Sequence, residues 1–493
     1  MKAIEHRTAS KQTADPRLRK ALGLRDLIPM QILIVLGTSW TGTAAHQSGT
    51  QVAFWALGAV LLFLPVAAVI QYCVRIWPYE GGVYQWTKHA FGPFAGFLSA
   101  WNLGIWVMLL CAAIGVQTAT GLSYALGSRA AWMAESHVFI AALNVGIFAL
   151  VFMVSAFGLS VGRWISHLGT LATLLVVALL IVLLVIHPHS APGFSHVSPQ
   201  PPFSFEFPLI TALSLNLFSK IAFNGFTALE QVAVFAGETR NAATSILRSA
   251  WIAAPIIALI YILMTGSILT YIPASQVDLV NPIAQVITTA FDAGRGRDAV
   301  IDWGVLLSHG AILMLVFAQI AQIAVYIAET SRLPMVAAWD NLLPAWLTRL
   351  HPRYRTPTRS LMVVVLLAVL FAFLASYDAG AAEAFQLLTT CAFFCYGITY
   401  LLMFSVPLLL GTRFSLYPKL RVPLWVRIAC LSGASVTALA MIFDLVPIVD
   451  VVSPRFFALK VGSAALTLNL CASLIYWHRV RHSKILTPQS RTL

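Results

Sequence analysis

Twelve apolar runs dominate the chain, near residues 27–47, 52–76, 92–125, 137–158, 164–187, 208–236, 250–272, 301–328, 360–377, 383–410, 423–447 and 456–477. A helix needs about 20 residues to cross a hydrocarbon core of roughly 30 Å, so each run is at or near the length of a membrane span. Lipid offers no partner to a backbone N–H or C=O, which leaves helices and closed barrels as spanning structures. Barrel strands alternate polar and apolar residues, and these runs do not. The expectation is an all-α polytopic membrane protein of about 12 transmembrane helices. Charged residues make up only 10% and mean hydropathy is +0.83, whereas a soluble chain is about a quarter charged.

The net charge of +13 does not point to nucleic acid, because the basic residues sit in short loops between apolar runs. Their expected partner is the lipid bilayer and its anionic inner leaflet. With both termini in the cytoplasm, 25 Lys and Arg fall inside: seven in the N-terminal segment, five between Arg332 and Arg359, four between Arg413 and Arg427, four from Arg479 onward, and Arg75, Lys88, Arg163, Arg240 and Arg248. Five fall outside (Arg129, Arg295, Arg297, Arg455 and Lys460), and Lys220 lies within a span. That bias predicts a cell-membrane, multi-pass protein with cytoplasmic ends.

Segment 1–26 is polar, lacks a cleavable-signal pattern and reads as a cytoplasmic leader. The loop 188–207 is proline-rich and expected outside; His187 and His189 beside it lack a third ligand for a metal. Cys73, Cys111, Cys391, Cys395, Cys430 and Cys471 all lie in apolar runs as small hydrophobes, so neither a disulfide nor a metal site is expected.

Two spans carry interruptions. The first contains Gly37-Thr38-Ser39-Trp40-Thr41-Gly42-Thr43, poor helix interior that can present N–H groups and carbonyls to a ligand. The sixth contains Ala222-Phe223-Asn224-Gly225-Phe226-Thr227-Ala228-Leu229-Glu230. Small residues also let helices pack closely, which is the plain alternative. Matched breaks five spans apart favour a binding site, as in transporters built from inverted repeats. On that reading 27–187 is a first repeat, 208–410 a second, 411–478 two further spans and 479–493 a cytoplasmic tail. The substrate-binding candidates are Gly37, Thr38, Ser39, Thr41, Gly42 and Thr43 with Asn224, Phe226, Thr227 and Ala228. Half-helix N-termini there would meet a carboxylate, and C-terminal carbonyls an ammonium.

Three further segments carry a resemblance. Pro78-Tyr79-Glu80-Gly81-Gly82-Val83-Tyr84 with Phe91-Gly92-Pro93, then Glu230 through Ala236-Gly237-Glu238-Thr239-Arg240-Asn241, then Arg332-Leu333-Pro334 with Asp340-Asn341-Leu342-Leu343-Pro344, are similar to motifs of the amino acid–polyamine–organocation permeases. The resemblance implies a LeuT-type fold, a five-plus-five inverted repeat with helices 1 and 6 broken, and transport of an amino acid. This chain departs from the family at Ala228, where a glycine is usual, at Ala242 after Asn241, where a proline is usual, and in span 5, which lacks the lysine of some relatives.

An ionisable group inside a membrane is a functional candidate by default. Glu230 and Lys220 are assigned gating or coupling. His167 and His309 are candidate proton relays, although a lone helical histidine is more often a packed one. Asp302, Glu329, Glu383 and Asp444 fall near span ends and are expected at the interface. Trp101 and Trp106 either wall a pocket or pack the core. No catalytic constellation or nucleotide-binding loop occurs, so an enzyme is not expected and no cofactor is called for. The reading is a secondary transporter of a small-molecule substrate, an amino acid, coupled to H+ or Na+ or working as an exchanger. The alternatives are a polyamine or other organocation carrier and a non-transporting sensor on the same fold. Oligomeric state is not encoded in any of these features.

Overall fold

The computed structural model describes residues 18, 20–186, 203–292, 303–376, 381–412, 422–446 and 453–485. Among them the regular structure is helical, apart from one isolated parallel bridge between Leu22 and Thr239. His187, His189 and Asp302 lie outside the described residues.

The first apolar run forms two helices, α1 (Leu24–Val35) and α2 (Thr38–Ala45), inclined by 45° at a break of Leu36 and Gly37. The interruption expected over Gly37–Thr43 is therefore narrower than the sequence suggests. The hydroxyl of Thr41 donates to the Thr38 carbonyl at 2.5 Å, and its helix continues to Ala45. Next come α3 (Gln51–Ile76), the short α4 (Val83–Phe91), α5 (Pro93–Leu126), α6 (His137–Ala156) and α7 (Leu159–Ile186).

The sixth run is also divided. Its helix α8 (Ala212–Phe226) stops where Thr227 turns extended and Ala228 enters the left-handed region at φ +75°. A 3-10 segment, Gln231–Glu238, resumes the path. After it follow α9 (Ala242–Tyr271), α10 (Pro282–Asp292), α11 (Trp303–Thr330), α12 (Arg332–Trp339), α13 (Thr358–Ser376), α14 (Ala381–Thr412), α15 (Leu424–Asp444) and α16 (Pro454–Ile485). Helix α10 was not anticipated, because it is short and lies between apolar runs.

By length and hydropathy, nine helical segments among the described residues can cross a bilayer, and the bent α1–α2 pair makes a tenth. The remaining two apolar runs hold α13 and the divided segment that begins with α8. Helix α5 is central, with 89% of its apolar window buried, while α16 is peripheral at 17%. Leu171 on α7, Leu366 and Phe373 on α13 and Leu474 on α16 are exposed, whereas Gln31, Gln322 and Glu230 are buried. Apolar side chains outside and polar ones inside suit a chain whose solvent is lipid. The chain is a multi-pass membrane protein.

Candidate functional site

The break between α1 and α2 is held open by side chains from other helices. Helix α1 ends at Val35, so the carbonyls of Leu33, Ile34 and Val35 have no partner within it. Gln322 Nε2 donates to Leu33 O at 2.8 Å and Ile34 O at 3.3 Å, and Tyr326 Oη donates to Ile34 O at 2.5 Å. Tyr261 Oη on α9 bridges the gap: it donates to Val35 O at 2.8 Å and accepts the Gly37 N–H at 2.9 Å. Gly37 is needed for space, since a Cβ there would lie 2.4 Å from Trp40 Nε1.

The second break is latched to α14. The Ala228 N–H donates to Tyr400 Oη at 3.0 Å, and Tyr400 Oη donates to Glu230 Oε2 at 2.5 Å. Tyr396 Oη donates to Glu230 Oε1 and accepts from Gln231 Nε2 at 3.2 Å. Each phenol accepts elsewhere, which leaves its proton for Glu230. The carboxylate form of Glu230 is thus matched by two donors. Gln31 Nε2 on α1 donates to Leu229 O at 3.0 Å and ties the two breaks together.

Both breaks open on one cavity. Gly37, Ser39 and Trp40 form one wall, and Asn224, Thr227 and Ala228 face them. Trp106, Leu110, Ile114 and Phe393 give an apolar side, while Gln117, Gln322 and Tyr326 add polar groups. Trp106 stacks on Tyr396 with ring centroids 3.9 Å apart. Two features at the cavity have bonding capacity left. Ser39 lines it from the first turn of α2, where the amides of Thr38 and Ser39 have no intrahelical acceptor. Asn224 Oδ1 is buried without a hydrogen-bond partner among the described residues.

Trp40 and Phe385, ring centroids 6.5 Å apart, also line a second cavity. Thr43, Lys220, Asn224, Gln386 and Asp444 contribute to it. Lys220 Nζ donates to Val446 O at 2.5 Å, and the Asp444 carboxylate is its charged neighbour.

Of the residues singled out from sequence, Gly37, Ser39, Asn224, Thr227 and Ala228 meet at the first cavity, and Thr43 and Lys220 at the second. Thr38 accepts from Gln117 Nε2 at 2.9 Å through its hydroxyl. Thr41 is turned to its own backbone. A Cβ on Gly42 would lie 3.0 Å from Asp278 O, so this glycine packs against the segment before α10. Phe226 packs on Phe63 and Trp55, with centroids 4.8 and 5.3 Å away.

The expected interfacial placement fails for Glu329 and Asp444, each only 1% exposed, because neighbouring helices cover those span ends. Glu383 is half-buried, 4.0 Å from Lys460. His167 bonds Asp26 at 3.1 Å, and His309 is half-buried. Trp101 packs on Phe97, while Trp106 walls the cavity. Sequence reasoning missed Tyr261, Gln322, Tyr326, Tyr396 and Tyr400. The signal was available as polar atoms inside apolar runs, with Tyr396 and Tyr400 one helical turn apart.

A cluster of charges lies at the end of the 3-10 segment. Arg332 Nε is 3.0 Å from Glu238 Oε2, both buried, and Glu80 Oε2 accepts the Gly237 N–H at 2.6 Å. Burial pushes the Glu80 carboxyl well above its usual range, and Glu238 pushes the same way against Arg332.

A model of the amino acid permease family matches residues 22–466. Similar curated proteins include an uncharacterized transporter of Mycobacterium tuberculosis, 26% identical over 388 residues, which cover 76% of this chain and 78% of that protein. A branched-chain amino acid permease of Bacillus subtilis is 24% identical over 364 residues, 70% of this chain and 72% of its own. A low-affinity putrescine importer of Escherichia coli is 24% identical over 358 residues, 71% and 72% of the two chains.

Proposed function

The chain belongs to the amino acid permease family, transporters rather than enzymes, and we propose that it carries a zwitterionic amino acid by alternating access as a secondary transporter. The carrying observation is the pair of breaks apposed across one cavity. The solute carboxylate meets the Thr38 and Ser39 amides at the positive end of α2. Its ammonium meets Asn224 Oδ1, and its side chain lies against Trp106, Ile114 and Phe393. The residues lining this cavity carry no charge. A zwitterion brings its own counter-charge into such a site, whereas a diamine would be buried uncompensated. This favours an amino acid over the polyamine alternative, and the transporter relatives favour carriage over sensing.

The same reading takes the twelve apolar runs as twelve spans and the breaks, five spans apart, as the broken helices 1 and 6 of a LeuT-type five-plus-five repeat. It places both termini in the cytoplasm and the protein in the cell membrane, on the basic-residue bias of 25 to 5. A half-helix C-terminus is where a coupling cation would be held. Here the carbonyls of Leu33, Ile34 and Val35 already accept from Gln322, Tyr326 and Tyr261, which favours H+ over Na+.

Uptake of radiolabelled leucine, serine and putrescine into proteoliposomes tests the proposal. At least one amino acid should enter, and Asn224→Ala should weaken its half-saturation about tenfold or more, the loss of one hydrogen bond to a charged group. Uptake of putrescine alone, or wild-type kinetics in Asn224→Ala, overturns it.

A further inference from the structure

Four acidic side chains lie buried around the inner end of the divided sixth segment, and three have donors. Glu230 has two phenols, Glu238 has Arg332, and Glu80 has the Gly237 amide. Glu329, in the last turn of α11, has none. It is 1% exposed, and neither carboxyl oxygen has a hydrogen-bond partner among the described residues. Its charged and titratable neighbours are Glu230 from the break, Arg332 from α12, Cys111 from α5, and Tyr326 one turn back on its own helix.

We propose that Glu329 is a proton-binding site, loaded in this conformation and emptied when the 3-10 segment parts from α12. An ionised Glu329 would be buried between the Glu230 carboxylate and an arginine already engaged. Arg332 spends its guanidinium on Glu238, the Ala328 carbonyl and the Ser331 hydroxyl. A buried, unpaired carboxylate is strongly disfavoured, so the group holds its proton.

Arg332 is three residues further on, close enough along the chain to serve either acid. When Glu238 moves away with the 3-10 segment, Arg332 is freed for Glu329. The carboxyl O–H then breaks, its electron pair stays on the oxygen, and the proton leaves to water on the side that has opened. One proton is carried per cycle. Tyr326 lines the solute cavity and neighbours Glu329, which puts loading next to the solute site. This inference rests on the transport reading above and adds its coupling ion and the residue that holds it.

The test uses the full chain and two neutral variants, Glu329→Gln, isosteric with the protonated acid, and Glu329→Leu; a folded sample of either suffices. The first measurement is the infrared carbonyl stretch of protonated carboxylic acids at neutral pH. Part of it should disappear in the variants, and an unchanged band overturns the proposal. The second uses proteoliposomes with radiolabelled leucine, serine and putrescine. An inwardly directed proton gradient of one pH unit should raise wild-type accumulation by about tenfold for one proton per solute. The variants should show no response while keeping solute counterflow. A wild-type gradient response in the variants overturns the proposal. If the wild type moves none of the probes but loses the infrared band on substitution, the proton site stands and the transport reading falls.

Discussion

Removing one oxygen from Tyr261 tests whether the first break is built or accidental. Tyr261→Phe keeps the ring, and with it the stacking on Trp55 at 4.2 Å. It removes the hydroxyl that spans Val35 O and Gly37 N–H. Each group left unsatisfied costs about 1–3 kcal/mol. Both residues line the cavity, so water can replace part of the loss, and the total falls near the lower end, about 2–3 kcal/mol. Tyr326→Phe is the control. Ile34 O would keep Gln322 Nε2 at 3.3 Å, so no carbonyl is orphaned and the cost is about 1 kcal/mol. Denaturant titration in mixed micelles reads both values, and counterflow kinetics show whether the solute site loosens with the break. If Tyr261→Phe costs no more than Tyr326→Phe, the hydroxyl is not a splint and the reasoning fails.

Three other outcomes follow from local geometry. Ala228 holds φ +75°, a conformation that costs an L-residue about 1–2 kcal/mol; Ala228→Gly should recover part of that in the same titration, and a loss of stability would refute the strain. Glu80 sits well above its usual 4.5, so the folded state holds a proton the unfolded chain has released, and stability falls as pH rises above that value, by up to about 1.4 kcal/mol per pH unit. Glu80→Gln should flatten this dependence, and an unaltered slope counts against it. Lys220→Met strips the cation beside buried Asp444 and should destabilise the chain by about 1–3 kcal/mol; adding Asp444→Asn should restore most of it, and no rescue would mean the two side chains act independently.

The spans were legible because a run of apolar residues is a bulk signal that needs no partner to be recognised. Both breaks were legible for the opposite reason: clusters of glycine and hydroxyl residues are locally inconsistent with a buried helix. Facing was harder to read. Seven consecutive residues from Gly37 looked equally available, but α2 is helical from Thr38, and a helix turns successive residues to different sides. Ser39 therefore faces the first cavity, Thr43 the neighbouring one, and Gly42 the segment before α10.

Carboxylates show the limit most clearly. In the sequence Glu230 stands out as a mid-span acid, and Glu329 reads as interfacial because it lies where an apolar run ends. Depth along a helix is written in sequence, but the donors around a side chain come from residues distant in the chain. Tyr396 and Tyr400 reach Glu230 from more than 160 positions away, and no spacing rule brings them there. No hydrogen-bond donor reaches Glu329 among the described residues. The acid that looked suited to titration is the one with its hydrogen bonds met, and the one that looked solvated must keep a proton to remain buried. Proton carriage therefore turns on which buried acid lacks donors, and the Glu329→Gln liposomes test it directly: if they still answer a pH gradient, the unpartnered acid is not the coupling residue of this protein.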